Sequence, residues 1–97
     1  MKTNAEFRSP WAVKYFETMV KHFSQKIEVQ KTDAGAHLLF VCGTADLTLS
    51  ENRIVIDITA PHTAALEMTC DVVERHLLRF AFREAPEPLA WTTVSEV

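Results

Sequence analysis

Glycine and cysteine are scarce in this chain, and their scarcity excludes several kinds of site. Of the 97 residues, two are glycine and two are cysteine. The phosphate-binding patterns G-x-x-x-x-G-K-[ST] and G-x-G-x-x-G need more closely spaced glycines than the chain has. Cys42 and Cys70 are too few for a disulfide scaffold. The sequence therefore predicts a reducing compartment and a fold held together by packing.

Long apolar runs and an excess of positive charge are missing as well. The longest apolar run, Leu38–Cys42, has five residues, whereas a membrane-spanning helix needs about 20. No apolar segment of signal-peptide length follows the N-terminal lysine. The formal net charge is −3, which does not favour a polyanionic partner. We expect a cytoplasmic protein whose partner is neither a membrane nor a nucleic acid.

The chain does contain regular alternations of apolar and polar residues. Period-two alternation predicts one strand before Pro10 and four more between residues 26 and 59. Apolar residues at helical spacing predict one helix ending near Phe23 and a second after Pro61. The order β-α-β-β-β-β-α with short links favours an antiparallel sheet. We expect an α+β fold, a two-layer sandwich with both helices on one face of the sheet.

The length predicts a single domain, residues 1–97. We expect a compact core over residues 3–84 and a C-terminal arm or short edge strand over residues 85–97. Asp33 and Gly35 are expected to supply the special backbone geometry of a turn between two strands. Thr63 or His62 is the expected cap of the second helix.

The second helix contains a cysteine and a histidine, the residue types of metal sites. Leu66, Cys70, Val73, Leu77 and Phe80 repeat at spacings of three and four, which predicts a core-facing stripe. Cys70 and His76 then lie about 120° apart around the helix and do not converge. No paired ligand motif supports a zinc site. We expect packing for Cys70, no metal and no cofactor.

Other polar residues near the helices leave two interpretations open. His22, near the end of the first helix, and His76 can each hold a backbone group or can line one pocket with Tyr15. Arg79 and Arg83 extend a basic ridge that either pairs with nearby carboxylates or contacts an anionic group. The sequence has no G-x-S-x-G motif and no other nucleophile pattern, so we do not expect an enzyme.

Two segments resemble a bacterial family, domain of unknown function 2218. They are ITAPHTAALEMTCDVVERHLLRFAFRE and, upstream, YFETMVKHFSQKIEV. The resemblance emphasises His22, His76, Arg79 and Arg83, which match its motif, and implies no activity because the family has none assigned. His62 stands where the family pattern has aspartate, a departure expected to cost the helix about 0.5–1 kcal/mol unless Thr63 caps it. The element order is also similar to the TATA-binding-protein fold, an analogy that does not carry function.

Two functions compete. The first is a non-enzymatic binding or adaptor protein, because Leu39, Val41 and Val55 are expected on the outer sheet face, where polar residues are usual. The C-terminal segment around Trp91, a second copy in a homodimer, or a protein partner would cover them. The alternative is a small-ligand or catalytic pocket built from His22, Tyr15, His76, Arg79 and Arg83.

Overall fold

A five-stranded antiparallel sheet forms one layer of the molecule, and two helices form the other. The computed structural model of the chain describes residues 1–92. The strands are β1 (Lys2–Arg8), β2 (Glu28–Lys31), β3 (Gly35–Leu39), β4 (Thr44–Ser50) and β5 (Arg53–Thr59). The helices are α1 (Ala12–Ser24) and α2 (Thr63–Phe80), followed by a short 3-10 turn, Phe82–Glu84. The strand order across the sheet is β1-β5-β4-β3-β2. The predicted α+β fold and its element order are confirmed.

Alternation of side chains along the strands creates the apolar face on which the helices lie. In β5, Ile54, Ile56 and Ile58 are fully buried, while the residues between them are more exposed. The register pairs Ile56 with Ala5 on β1 and with Leu47 on β4, so core side chains form rows across the strands. Because side chains alternate strictly between faces, this register turns the residues between them, such as Val55 and Asp57 of β5, to the opposite face.

Two of the five residues predicted for the buried stripe of α2 are only half-buried. Leu66, Val73 and Leu77 are buried as expected, whereas Cys70 and Phe80 lie at the edge of the core. Thr69 is fully buried instead. Its hydroxyl donates to the carbonyl of Ala65 at 2.8 Å, which satisfies the polar atom inside the core. Thr69 can therefore occupy the buried position that the pattern of apolar residues predicted for Cys70.

Side chains bind backbone N–H groups just before α1 and at the start of α2. The Ser9 hydroxyl accepts from the backbone N–H of Trp11 at 3.0 Å, just before α1. At α2, His62 is the N-cap residue, and its Nδ1 accepts from the N–H of Ala65 at 3.2 Å. Of the two predicted caps, the imidazole therefore performs the role, and it does what the aspartate of the family pattern would do with a carboxylate.

Two expectations around β3 are wrong. Neither glycine has a positive φ, so Gly35 supplies no special turn geometry. It opens β3 instead, where a Cβ would lie 1.7 Å from the carbonyl oxygen of Leu47, and close approach of two backbones explains the glycine. Val41 was expected on the outer face of the sheet, but β3 ends at Leu39, which leaves Val41 in the link to β4.

Residues 85–92 run beside the edge strand β1 and form no strand of their own. The N–H of Thr92 donates to the carbonyl of Asn4 at 2.8 Å, and the Thr3 hydroxyl donates to the carbonyl of Thr92 at 2.8 Å. The rest of the predicted arm or edge strand, residues 93–97, lies outside the described residues. Over residues 1–92, no helix is both long enough and apolar enough to cross a membrane.

Candidate functional site

A cleft of about 580 Å³ opens between α1 and the C-terminal end of α2. Its lining residues come from α1, α2 and the 3-10 turn: Lys14, Tyr15, Thr18, Arg79, Phe80, Phe82 and Arg83. Three of these seven side chains are cationic and none is acidic, although the whole chain carries a net charge of −3. The structure thus brings together three of the five predicted pocket residues, namely Tyr15, Arg79 and Arg83.

The carboxylates that could neutralise the two arginines have other partners, although one of them, Glu84, also bonds to Tyr15 in the lining of the cleft. Arg75 lies 3.8 Å from the Asp71 carboxylate. Glu74 Oε1 accepts from the indole N–H of Trp91 at 2.7 Å. In addition, the Glu84 carboxylate accepts from the Ser9 hydroxyl, with distances of 2.9 and 3.1 Å to its two oxygens.

Arg79 and Arg83 consequently keep their charge available to the cleft. Within residues 1–92, neither has a carboxylate within 4.0 Å. The Arg83 guanidinium lies over the ring of Phe82, 5.7 Å from its centroid. Stacking of this kind holds the guanidinium plane while leaving its N–H donors free.

Tyr15 adds a neutral hydroxyl to the cleft. Its ring is 8% exposed and packs edge-on against Phe7, with 6.0 Å between the centroids. Hydrogen bonding to the Glu84 carboxylate raises the pKa of Tyr15, and burial adds to the effect. The hydroxyl therefore stays protonated near neutral pH and acts as a donor rather than as a phenolate.

Next to the cleft, His22 and His76 pack together in a histidine cluster with Phe23 and Phe80. The ring centroids of His22 and His76 are 4.9 Å apart, and the His22 ring lies 5.6 Å from that of Phe80. Neither histidine lines the cleft, but Phe80 belongs to both. The five predicted pocket residues therefore divide between two adjoining groups.

The two imidazoles have different hydrogen-bonding states. His76 Nδ1 donates to the carbonyl of Val72 at 2.7 Å, because a carbonyl oxygen can only accept. His22 Nε2 is buried and has no partner among the described residues. Burial lowers the pKa of His22, and the positive charges of His76, Lys26 and Arg79 lower it further. The histidine cluster therefore favours a neutral His22.

The stability of the protein should fall as the pH is lowered below about 6.5, the ordinary pKa of histidine. His22 has a lower pKa when folded than when unfolded, so the unfolded chain binds more protons as the pH falls. The contribution is complete above the unfolded pKa and is lost towards the folded pKa, with a slope of at most about 1.4 kcal/mol per pH unit. Urea unfolding at a series of pH values measures it.

The variant His22→Phe should flatten this pH dependence. A matched control is Gln25→Ala, because Gln25 is exposed at the C-terminal end of α1 and its side chain does not titrate. That control should keep the wild-type slope. An unchanged slope in His22→Phe would show that another group is responsible.

The predicted interface residues do not form one patch. Leu39 and Val55 are half-buried on the open sheet face, on β3 and β5, with β4 between them. Val41 is fully exposed in the link after β3. Trp91 lies on the helix side of the molecule, where its indole reaches Glu74. Two of the four residues therefore share a face.

Polar side chains cross the middle of that open face. Direct register partners place Asn4, Asp57, Asp46, His37 and Gln30 in one row, one residue from each strand. His37 Nδ1 is paired with Asp46 Oδ1. The row makes the open face more polar than the alternation of Leu39 and Val55 suggested.

The cysteines lie apart from the cleft. Burial raises the pKa of Cys70 to about 11, with Glu74 and Glu67 adding to the effect, so the thiol stays protonated. Cys42 Sγ lies 3.1 Å from the Thr69 hydroxyl oxygen. Across the described part of the chain, no three or more histidine, cysteine, aspartate or glutamate side chains are grouped to hold a metal.

On the α1 side of the cleft the sequence indicated Tyr15 but not Lys14 or Thr18, and it did not indicate the outer aromatic wall. Lys14 and Thr18 are exposed on α1, one helical turn apart. Phe82 follows the end of α2 and carries no signal of its own. Nothing in the sequence shows that the outer side of α1 faces the end of α2.

Comparison with known proteins identifies the family. Residues 4–92 match the family described as "Uncharacterized protein conserved in bacteria (DUF2218)". The NMR structure of PA4090 from Pseudomonas aeruginosa is similar in fold, with a TM-score of 0.77, 25% sequence identity and 94% of each chain covered. No curated protein matches the chain. The match includes the histidines and arginines that carried the resemblance, and the chain belongs to this family of uncharacterised bacterial proteins.

Proposed function

We propose that the protein binds a small anionic ligand in the cleft between α1 and α2. The supporting observation is the convergence of Lys14, Arg79 and Arg83 on one concave surface without a lining carboxylate. Three unneutralised cations close together repel one another, and an anion between them relieves that repulsion. In a chain whose net charge is −3, such a concentration of positive charge is a local feature of this cleft.

The groups around the cleft suit an oxyanion attached to an apolar part. Each guanidinium presents planar N–H donors that match carboxylate, phosphate or sulfonate oxygens, and Lys14 adds a mobile ammonium. The Thr18 hydroxyl already donates to the carbonyl of Lys14 at 2.9 Å, so it is less suited to hold an anion. Phe80 and Phe82 supply apolar surface beside the charges.

The protein-binding role that the sequence favoured stays a prediction, as do homodimer formation, cytoplasmic location and likeness to the TATA-binding-protein fold. Leu39 and Val55 favour protein binding through the open sheet face. The row of polar residues that crosses the same face is typical of a surface in contact with water. We place the anion-binding role first because its residues converge.

The first test is an NMR titration of ¹⁵N-labelled protein with inorganic sulfate, inorganic phosphate and benzenesulfonate. Amide signals of Tyr15 and of residues 79–83 should move, and the shifts should saturate. Arg79→Gln should weaken binding about tenfold, because a hydrogen bond to a charged group contributes about 1.5–3 kcal/mol and 1.4 kcal/mol is tenfold. Binding should also weaken as salt is added.

Arg75→Gln is the matched control, since Arg75 lies one turn earlier on α2, beside Asp71, and does not line the cleft. It should bind the probes like the wild type. The proposal fails if no probe shifts these signals at millimolar concentration, or if both variants weaken binding equally.

A further inference from the structure

A second depression adjoins the basic cleft. It has a volume of about 400 Å³ and is lined by Pro10, Trp11, Val13, Lys14, Glu17 and Thr18. Lys14 and Thr18 line both depressions, so the two are separated only by side chains at one turn of α1. The long aliphatic stem of a lysine can cover apolar surface while its ammonium reaches a charge.

Most of the large apolar side chains that are exposed to solvent lie around these two depressions. Trp11 is 59% exposed, Val13 55% and Phe82 66%. Within residues 1–92 only two other large apolar side chains are exposed to this degree, Val41 and Met68. Exposed apolar surface that is contiguous with a polar binding site is typical of ligand contact, whereas scattered single residues need no explanation.

We propose that the ligand is an amphiphilic anion, whose charged head lies in the cleft and whose apolar tail crosses Lys14 onto Trp11 and Val13. This inference rests on the proposed function. The charges of the two depressions distinguish their roles. The cleft has three cations and no acid, whereas the second depression has the carboxylate of Glu17 on its wall, which disfavours a second anion there.

The occupant is a single amphiphile rather than a membrane surface, because both depressions are concave and share a wall. Aryl or alkyl carboxylates, sulfates and phosphate monoesters all have the required chemistry. Free amphiphiles and anionic lipids share it, and only presentation as monomers or in bilayers separates these sources.

Alkyl sulfates of increasing chain length test the tail, used below their micelle-forming concentrations. Their charge does not change near neutral pH. Affinity should rise about twofold for each added methylene from butyl to octyl sulfate. In free energy this is roughly half the effect of burying a methylene completely, because the groove is open on one side. In NMR spectra the indole N–H signal of Trp11 should move, while that of Trp91, which is bonded to Glu74, should not.

Two variants separate head from tail. Trp11→Ala should remove most of the chain-length dependence and leave methyl sulfate binding unchanged, while Arg79→Gln should weaken every alkyl sulfate by the same factor of about ten. Octyl glucoside, with the same tail and no charge, should bind much more weakly than octyl sulfate.

Each contrary result has one meaning. Saturable methyl sulfate binding without chain-length dependence would overturn the tail site and leave the anion site standing. Chain-length dependence that persists in Trp11→Ala would also overturn it. Failure of every sulfate to bind would overturn the proposed function itself. Binding to vesicles of phosphatidylglycerol and phosphatidylcholine without binding to monomeric octyl sulfate would replace the single amphiphile with a lipid surface.

Discussion

Replacing Gly35 with alanine should destabilise the protein by about 3 kcal/mol or more. A Cβ at this position would lie 1.7 Å from the carbonyl oxygen of Leu47 and 2.8 Å from its carbonyl carbon. Both atoms are backbone, so no side chain can rotate away, and β3 and β4 would have to move apart. A domain of this size has about 5–15 kcal/mol of stability, of which this is a large part.

Urea unfolding followed by circular dichroism measures the change. Ala34→Ser is the control, because Ala34 is the exposed neighbour of Gly35 and its substitution should change stability by less than about 0.5 kcal/mol. An average point mutation costs about 1 kcal/mol. If the free energy of unfolding of Gly35→Ala is lower than that of the wild type by no more than about this amount, the two strands do not approach as described.

Gly35 also shows where sequence reasoning stops. A glycine between two strands predicts a turn with positive φ, because that is its usual role in hairpins. The alternative cause is a neighbouring backbone that leaves no room for a side chain, and only the three-dimensional structure shows that neighbour. Both causes leave the same residue in the sequence.

The fold itself was predictable because its signals are local. Alternation in β5 and helical spacing in α2 give the element types and the buried faces from the sequence alone. Even in α2 the predicted core position of Cys70 was wrong. Thr69 is buried because its hydroxyl donates to a carbonyl of its own helix, and Cys70 lies at the edge of the core.

The cleft depended on contacts that are distant along the chain. The sequence placed Arg79 and Arg83 on one basic ridge. Whether carboxylates neutralise them depends on hydrogen bonds that the sequence does not show, from Trp91 to Glu74 and from Ser9 to Glu84. Sequence spacing instead favoured pairing of the arginines with their nearest carboxylates. The charge of a site is set by what its potential partners bind, and those competing partners lie far away in sequence.

Leu77→Ala should cost about 2–5 kcal/mol, the range for removing a large apolar side chain from a core that cannot collapse around the space. Leu77 is fully buried in the same core cluster as Leu47 and Ile56. The next residue, Leu78, is only half-buried and provides a control with the same chemical change in the same helix, expected to cost less than about 1 kcal/mol.

The comparison of these two leucines also bears on the cleft. Leu77 holds the last turns of α2 on the sheet, and Arg79 and Phe80 project from those turns into the cleft. The loss of stability should therefore appear in urea unfolding of Leu77→Ala, with a weaker response to benzenesulfonate in the folded variant. Equal losses for Leu77→Ala and Leu78→Ala would mean that this face of α2 does not pack on the sheet, and the α2 side of the cleft would then have no fixed position.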